Sequence, residues 1–331
     1  MRVLVTGGAG YVGSFAVRHL LRGGHHVVVI DNLIQGHRGA LPKGVLVVGD
    51  IADRALLGRL LRDHEVEAVM HFAGSTSVSE SVEHPDRHWR NNTVNTLGLL
   101  ETMLENDVKK IVFSSTAATY GASGEMPLRE DSPKSPVCPY GSSKLAIEWM
   151  IQDLSHAHGL SYMILRYFNA AGAAPDGSHG EAHDPETHLI PLVIAAVLGR
   201  REVVEIYGDD WDTSDGTCLR DYVHVEDLAQ AHELAVTGCP EAGSPPGGHV
   251  LNVGTGRGNT VMEVVRAVEK VTGRRVPLRI TGRRSGDPAK LVASSERLRE
   301  TLGWKPQFGT IEQVVETAWR WHQSHPNGYD G

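Results

Sequence analysis

A chain of 331 residues has room for about two ordinary domains and a large buried core. Its 32 Lys and Arg stand against 40 Asp and Glu, a net charge of −8 with no basic run, which excludes the usual electrostatic basis for binding nucleic acid. The longest apolar stretch, 192–198, is far shorter than the ~20 residues that span a bilayer, so a membrane helix is not expected.

The three cysteines, Cys138, Cys218 and Cys239, are far apart, and none stands in a metal-ligand spacing. A disulfide scaffold and a structural zinc site are therefore not expected, and the 18 histidines are scattered. The first residues enter a strand-like run at once, without the basic segment and apolar core of a secretory signal. We expect a cytoplasmic protein that needs no metal.

Short β-branched segments alternate with amphipathic segments through the first half of the chain. Their composition is typical of strands that are buried on both faces of a parallel sheet. Between the first two of them, apolar residues recur at helical spacing across 11–22, and Gly23 and Gly24 end the predicted helix. The alternation predicts an α/β fold with a doubly wound parallel sheet, whose strands lie at 2–6, 26–31, 45–48, 68–72 and 110–114.

The pattern loosens after about residue 169. Segments 171–186 and 240–248 are rich in Gly, Pro and polar residues and are predicted loops, whereas 251–254 is a predicted strand and 261–272 and 311–322 are predicted helices. We predict a nucleotide-binding domain of residues 1–168, to which 221–255 returns. Residues 169–220 and 256–331 would form a smaller mixed α/β substrate domain.

A glycine-rich turn follows the first predicted strand and opens the first helix. Gly7, Gly10 and Gly13 have the spacing Gly-x-x-Gly-x-x-Gly, with Tyr11 and Val12 between the last two. Glycines let the chain turn tightly and bring backbone amides against a pyrophosphate, which the helix N-terminus also attracts. Three glycines alone are weak support, but their place in a strand–turn–helix predicts a dinucleotide site.

Acidic and small residues follow the next strands. Asp31 closes the second strand, where a carboxylate can accept hydrogen bonds from an adenosine ribose and repel a 2′-phosphate, which favours NAD over NADP. Asp50 and Ile51 end the third strand, where an adenine edge could be met, and 72–74 end the fourth. These positions share the carboxyl edge of the sheet, where ligands of such folds bind.

Tyr140 and Lys144 lie four residues apart at the start of a predicted helix and therefore share one face. An ammonium group near a phenol lowers the tyrosine pKa from about 10 and makes a usable general base near neutral pH. Thr116, just past the fifth strand, can place a hydroxyl at the same edge as a proton relay. A tyrosine and a lysine four residues apart are common by chance. Their position after the glycine turn and Asp31 makes the prediction of a catalytic pair specific.

Further segments make the chain resemble the extended short-chain dehydrogenase/reductase family, a Rossmann-fold family, and within it the UDP-glucose 4-epimerases. The likeness covers nearly the whole chain. The matching segments are Met1–Gly8, His71–Gly74, Phe113–Thr116, Arg166–Asn169, Pro185–Pro191, Asp215–Tyr222, Arg283–Pro288 and His325–Tyr329.

The resemblance implies a tightly held NAD that is not consumed. Tyr140 would take the proton of the sugar 4-hydroxyl, with Thr116 in the relay, while a hydride passes from C4 to the nicotinamide. The 4-keto sugar would then turn its other face, and the returning hydride would interconvert UDP-galactose and UDP-glucose. The resemblance also implies a homodimer formed through helices of the cofactor domain.

The family's binding residues carry over by position. The cofactor set implied in this way comprises Gly7, Gly10, Tyr11, Val12, Gly13, Asp31, Asn32, Leu33, Gln35, Gly36, Asp50, Ile51, Phe72, Ala73, Gly74, Asn91, Thr116, Tyr140, Lys144 and Phe168. Arg220 and Arg284 suit diphosphate binding, because guanidinium forks match phosphate oxygens, and Tyr207 would lie against uracil. The remaining substrate set comprises Thr116, Tyr140, Asn169, His188, Leu189, Glu205, Ile206, Asp287 and Leu291.

Alternatives remain within and beyond this family. Leu291, at the position that limits bulk at the sugar 2-substituent, is smaller than the tyrosine of strict hexose enzymes, so UDP-N-acetylglucosamine is an alternative substrate, as is UDP-xylose or UDP-arabinose. A sugar-nucleotide dehydratase would need an acid and a base beside Thr116, where the chain has Ala117 and Ala118. The other hypotheses are an NAD-dependent dehydrogenase that releases a ketone and a sugar-nucleotide sensor without catalytic activity.

Overall fold

The computed structural model describes residues 1–122, 125–245, 247–284 and 287–329. The predicted loop 240–248 and the family segment Arg283–Pro288 each include residues outside that description (Pro246, and Ser285 with Gly286). The strands are β1 (Arg2–Thr6), β2 (His26–Asp31), β3 (Leu46–Val48), β4 (Ala68–His71), β5 (Lys110–Thr116), β6 (Ser161–Tyr167), β7 (Asn169–Ala171), β8 (Val204–Tyr207), β9 (Leu219–His224), β10 (Gly248–Val253), β11 (Gly258–Thr260), β12 (Leu278–Thr281) and β13 (Lys290–Leu291).

The helices agree closely with the hydrophobic periodicity. The first predicted helix begins and ends where the sequence places it, and the last continues two residues further than predicted. A π-helical segment, Trp89–Val94, joins the fourth and fifth helices. The helices are α1 (Tyr11–Arg22), α2 (Arg54–Asp63), α3 (Val78–Glu83), α4 (Pro85–His88), α5 (Asn95–Glu105), α6 (Pro139–His158), α7 (Leu189–Val197), α8 (Val225–Thr237), α9 (Val261–Thr272), α10 (Glu296–Leu302) and α11 (Ile311–Ser324).

Seven strands form one parallel sheet in the order β10-β6-β5-β4-β1-β2-β3, which confirms the predicted doubly wound fold. Side chains of β1 alternate between its two faces: Val3 and Val5 pack in one core cluster, and Leu4 packs in the other. Both faces are covered by helices, which explains why these strands are apolar throughout.

The second half of the chain adds two small sheets. In one, β9 pairs with β11 in antiparallel fashion and with β7 and β13 in parallel, and in the other β8 pairs with β12. Apolar residues of α7, α9 and α11 build a separate core beside β8. Among the described residues, no helix is both long enough and apolar enough to cross a bilayer.

Four buried histidines make the fold sensitive to acid. Burial lowers the pKa of His71 and His179 to about 3 and those of His224 and His232 to about 4. Below pH 6.5 these histidines are protonated in the unfolded chain but not in the folded chain. The free energy of unfolding therefore falls as the pH falls toward 4. We expect each histidine to remove about 2 kcal/mol from the free energy of unfolding at pH 5.

Urea unfolding between pH 7.5 and 5 measures this loss. Replacing the exposed His64 by Gln is the matched control and should leave the pH profile unchanged. A free energy of unfolding that stays constant over this range would contradict the expectation.

Candidate active site

The predicted cofactor residues gather along one edge of the large sheet. Because all seven strands are parallel, the residues that follow them meet at the same carboxyl edge. Gly7 follows β1, and the first turn of α1 holds Tyr11, Val12 and Gly13. The others follow their strands: Asn32, Leu33, Gln35 and Gly36 after β2, Asp50 and Ile51 after β3, Phe72, Ala73 and Gly74 after β4, and Phe168 after β6.

The glycines of the first turn have different reasons to be glycine. Gly7 has φ +69°, and a Cβ built on it would lie 2.5 Å from the Ala73 nitrogen. A Cβ on Gly13 would lie 2.3 Å from the Gly7 carbonyl oxygen. At Gly10, by contrast, a Cβ would meet only that oxygen, at 3.4 Å. Packing within the chain therefore requires glycine at positions 7 and 13. Gly10 is not required for packing, and its missing side chain leaves the surface of the turn open.

The start of α1 is suited to an anion. Its N-cap, Gly10, offers no side-chain hydrogen bond to the first turn, and that turn holds no acidic residue. Backbone N–H groups at a helix N-terminus have no partner within the helix and attract negative charge. The open turn at Gly10 thus fits the pyrophosphate of a dinucleotide.

Asp31 holds the same turn from the neighbouring strand. Its carboxylate accepts hydrogen bonds from the backbone nitrogens of Ala9, at 2.9 Å, and Leu33, at 2.8 Å. Asn32 donates to the Asp50 carboxylate at 2.8 Å and so joins the ends of β2 and β3. Each carboxylate oxygen of Asp31 retains a second lone pair, which a ribose hydroxyl can use.

A hydrogen-bonded chain behind the glycine turn links α1 to the end of the described chain. Ser14 Oγ and His179 Nε2 are 2.9 Å apart, and Tyr329 Oη lies 2.7 Å from His179 Nδ1. Tyr11 donates its phenol hydrogen to the Gly172 carbonyl at 2.6 Å. Sequence reasoning missed His179 and Tyr329 as supports, because their partners are more than 100 residues away.

The three predicted catalytic residues come from β5 and α6. Thr116 ends β5, whereas Tyr140 and Lys144 lie on the first two turns of α6 and are almost completely buried. Lys144 Nζ donates to the Ser114 carbonyl at 3.1 Å and lies 4.9 Å from the centroid of the Phe113 ring. Burial lowers the Lys144 pKa to about 8.

The expected lowering of the Tyr140 pKa is wrong for the chain as it stands. Burial raises the pKa of the phenol well above its usual value, and the neighbouring Tyr167 adds to the rise, while the Thr116 hydroxyl acts in the opposite direction. The Lys144 ammonium is turned toward the Ser114 carbonyl, to which it donates. The helical spacing predicted a shared face, but the depth of burial depends on the tertiary structure.

Two asparagines of the π-helical segment hold the loop after β4. Asn92 accepts from the Ser75 nitrogen at 2.8 Å and donates to the Ser143 hydroxyl at 3.2 Å, and Asn91 donates to the Ser75 hydroxyl at 2.9 Å. Asn91 was predicted as a cofactor contact, whereas Asn92 was missed. Together they fix the segment after Gly74 against α6, close to Lys144.

Four predicted substrate residues form one polar cluster. Arg284 makes two hydrogen bonds of 3.0 Å to the Asp287 carboxylate, and Arg220 approaches it within 3.8 Å. The guanidinium carbon of Arg284 lies 5.2 Å from the centroid of the Tyr207 ring. Two cations and one exposed aromatic ring in one place suit a nucleoside diphosphate.

The cluster is connected to the catalytic residues through β13. Leu291 pairs in register with Arg220 and packs against the group that contains Phe168 and Ala117, the residue after Thr116. The polar cluster and the Thr116 end of β5 thus border one apolar wall, which contains Leu291, Phe168 and Ala117.

The remaining predicted substrate residues lie around this wall with different exposure. Asn169 begins β7, His188 is the N-cap of α7, and Leu189 is its first residue. Glu205 accepts from the Tyr207 phenol at 3.1 Å. Ile206, between them, is 1% exposed and packs in the core, so that only its main chain can reach a ligand.

A buried ion pair below the site was also missed. Arg166 on β6 and Glu148 on α6 contact each other at 2.5 Å, with side chains 4% and 1% exposed. Ser115, next to Thr116, donates to the same carboxylate at 2.5 Å, and Arg166 donates to the Tyr120 phenol at 2.9 Å. The pair joins β5, β6 and α6, the elements that carry the catalytic candidates.

Comparison with known proteins agrees with this geometry. Residues 3–254 match the model of the NAD dependent epimerase/dehydratase family. A UDP-glucose 4-epimerase of Halalkalibacterium halodurans is 51% identical over 99% of this chain and 98% of its own. A UDP-glucose 4-epimerase of Brucella ovis, solved with NAD, superposes with a TM-score of 0.93 at 44% identity, over 99% of each chain.

A third relative was solved with both kinds of ligand. The UDP-glucose 4-epimerase of Bifidobacterium longum, in complex with NAD+ and UDP, has a TM-score of 0.94 at 37% identity, over 99% of this chain and 100% of its own. Structural and sequence similarity both extend over nearly the whole chain. The chain therefore belongs to the NAD dependent epimerase/dehydratase family.

Proposed function

We propose that this chain interconverts UDP-galactose and UDP-glucose by reversible oxidation at sugar C4, with NAD as a bound cofactor that is not consumed. The observation that carries the proposal is the shared wall. Thr116 and the buried Tyr140 and Lys144 lie on one side of it, and the polar cluster with Arg220 and Arg284 lies on the other. The sequence relatives bear the name of this activity.

The glycine turn and Asp31 would hold the dinucleotide. The amides at the start of α1 would bind the pyrophosphate over Gly10, and the Asp31 carboxylate would accept from the adenosine ribose. When bound, NAD supplies a nicotinamide that accepts a hydride from C4 of the sugar and returns it. The loop held by Asn91 and Asn92 would close the nicotinamide end.

Proton transfer would belong to Tyr140 and Thr116. The phenol can take the proton of the 4-hydroxyl only if its raised pKa falls in the working complex, because a neutral phenol is a poor base. Lys144, whose pKa is about 8, lies one helical turn away. Its positive charge, together with any further positive charge beside the phenol, would favour the phenolate. Thr116 would pass the proton between sugar and phenol.

Unequal binding would allow the sugar to turn. The two arginines would fix the diphosphate, and Tyr207, 39% exposed, offers a flat face to uracil. On the sugar side the wall is mostly apolar, with Leu291 and Phe168. A hexose that makes few polar contacts there can present either face of C4 without breaking the nucleotide contacts.

A panel of UDP-sugars, incubated with the purified protein and no added NAD, tests the proposal. We expect UDP-galactose to form UDP-glucose with no lasting change in absorbance at the wavelength of reduced nicotinamide. Accumulation of a reduced cofactor would indicate a net dehydrogenase, and loss of water from the sugar would indicate a dehydratase. If no sugar is turned over, the result would support the hypothesis of an inactive sugar-nucleotide sensor.

The same panel distinguishes the substrate alternatives. Leu291 leaves more space at the sugar 2-substituent than a tyrosine would, so we expect some turnover of UDP-N-acetylglucosamine in addition to UDP-glucose. Replacing Leu291 by Tyr should reduce that turnover and spare UDP-glucose. Negligible turnover of the N-acetylated sugar by the unchanged protein would refute the wider specificity.

We also infer that the chain is a cytoplasmic homodimer. Trp149 on α6 is 57% exposed. Val94, which ends the π-helical segment, and Leu97 on α5 are also exposed, and both of these elements pack on α6. A second copy of the chain would cover these apolar side chains. Cys138, Cys218 and Cys239 are buried and unpaired, a state that a reducing compartment maintains. A monomeric mass in sedimentation equilibrium would overturn the dimer.

We also propose that the chain has two domains, one that binds the cofactor and one that binds the substrate. In support of the range 1–168 with 221–255, β10 completes the large sheet and α8 packs on α1. In support of 169–220 and 256–331, α7, α9 and α11 build a core of their own. Trp304 is an exception to this division, because it packs into the core under the large sheet.

A further inference from the structure

Four side chains with metal-binding atoms converge on the segment before α7. They are Glu181, His183, Glu186 and His188, and one ligand atom of each lies within 4.8 Å of every other. None of the catalytic steps proposed above uses Glu181, His183 or Glu186. The sequence predicted no metal site, because the cysteines lie far apart without a Cys/His ligand spacing and the histidines are scattered.

The ligand atoms of the four groups lie near enough to one another to surround one ion. Oε1 of Glu181 faces Nδ1 of both histidines, with His183 at 3.0 Å and His188 closer. Oε1 of Glu186 lies 3.7 Å from Nδ1 of His183. Ligand atoms about 2.1 Å from a tetrahedral zinc ion are about 3.4 Å from one another, so small side-chain shifts would admit the ion.

The surroundings hold these ligands in place and leave one side open. Trp321 donates to the Glu181 carbonyl at 2.8 Å, and the Glu186 carboxylate accepts from the backbone nitrogens of Thr187 and His188. The Glu181 side chain is 3% exposed, whereas that of His188 is 48% exposed. An ion could enter past His188 and reach a buried carboxylate.

We propose that Glu181, His183, Glu186 and His188 bind one Zn²⁺ ion. Two imidazole nitrogens and two carboxylate oxygens are a donor set that zinc accepts, and the two carboxylates balance its charge. Magnesium and calcium prefer oxygen ligands alone and are not expected to bind. His188 would use Nδ1 for the ion, which leaves Nε2 available to the UDP-sugar of the proposed function.

The ion would stabilise the segment that joins the two halves of the site. The His183 ring lies edge-on to Tyr11 of α1, with centroids 6.1 Å apart, and His188 caps α7. The bound ion would tie these neighbours to Glu181. We therefore expect zinc to raise the thermal unfolding temperature of the chain, since it binds the folded state alone.

The test uses the full chain without an affinity tag, treated with a chelator and then titrated with ZnCl₂ in a calorimeter. We expect one Zn²⁺ per chain, with binding weakened at least about 100-fold in Glu181→Gln and in His183→Gln. Zinc should raise the unfolding temperature of the unchanged protein and not that of either variant. Co²⁺ in place of zinc should give the visible absorption of a tetrahedral site.

Controls separate a metal site from an ion-paired cluster. Replacing both His25 and His26, two neighbouring histidines on another part of the chain, should leave zinc binding unchanged. Because Glu181 is buried, Glu186→Gln is a second variant at a more exposed ligand, and circular dichroism verifies its fold. Equal zinc affinity in the ligand variants and the unchanged protein would overturn the proposal, whatever the sugar panel shows.

Discussion

Replacing Tyr140 by Phe should lower the rate of UDP-galactose turnover by about 10²–10⁴-fold, the usual contribution of a positioned acid or base. The phenol is 8% exposed and faces Thr116 at the edge of the sheet, so no water can easily replace it. Phenylalanine keeps the ring and its packing and removes only the oxygen. The change should therefore act on kcat, while the protein still purifies with its NAD.

The comparison variant is Tyr162→Phe. Tyr162 lies on β6, near the end of the strand opposite to the site, and loses the same oxygen without loss of any group assigned a role. Its turnover should match that of the unchanged protein. If Tyr140→Phe retained more than about a tenth of the activity, the assignment of the base would be wrong.

Replacing Glu148 by Leu should lower the free energy of unfolding by about 3–5 kcal/mol. The change leaves the guanidinium of Arg166 charged and buried, with a side chain only 4% exposed. It also removes the acceptor of the Ser115 hydroxyl. Urea unfolding at neutral pH measures the loss, which is a large fraction of the stability of an ordinary domain.

A double variant distinguishes an unpaired charge from simple loss of packing. Adding Arg166→Met to Glu148→Leu should recover much of the lost stability, because no buried charge remains. At the exposed ion pair of Arg320 and Glu316, Glu316→Gln should cost less than about 1 kcal/mol. Equal losses in the single and double variants would mean that packing, and not charge, governs this position.

The sequence was sufficient for features that depend on neighbours along the chain. The strands predicted in the first half of the chain and the helix 11–22 have local hydrophobic patterns, and their bounds agree with the structure within about two residues. By contrast, β10 begins three residues before the predicted strand 251–254. The position of the glycine turn is equally local. Because parallel strands present their ends on one edge, these local predictions also placed the predicted cofactor residues together.

The features that were missed depend on partners that are distant in sequence. Glu148 and Arg166 stand in a helix and a strand whose patterns give no sign of a buried pair, and Asn92 acts on Ser75 and Ser143. The prediction of a lowered Tyr140 pKa was wrong for a related reason. Burial raises this pKa, and the sequence does not reveal which way the Lys144 ammonium points. The predicted substrate residues came from the resemblance to the family, because spacing alone could not supply them.

The hydrogen-bonded chain from Ser14 through His179 to Tyr329 bears on the order of folding during synthesis. The glycine turn leaves the ribosome more than 300 residues before the phenol that closes its rear wall. A nascent chain can form the early strands, but it cannot finish that wall until translation has passed Tyr329. Cofactor capture should therefore follow the synthesis of the whole segment between the glycine turn and Tyr329.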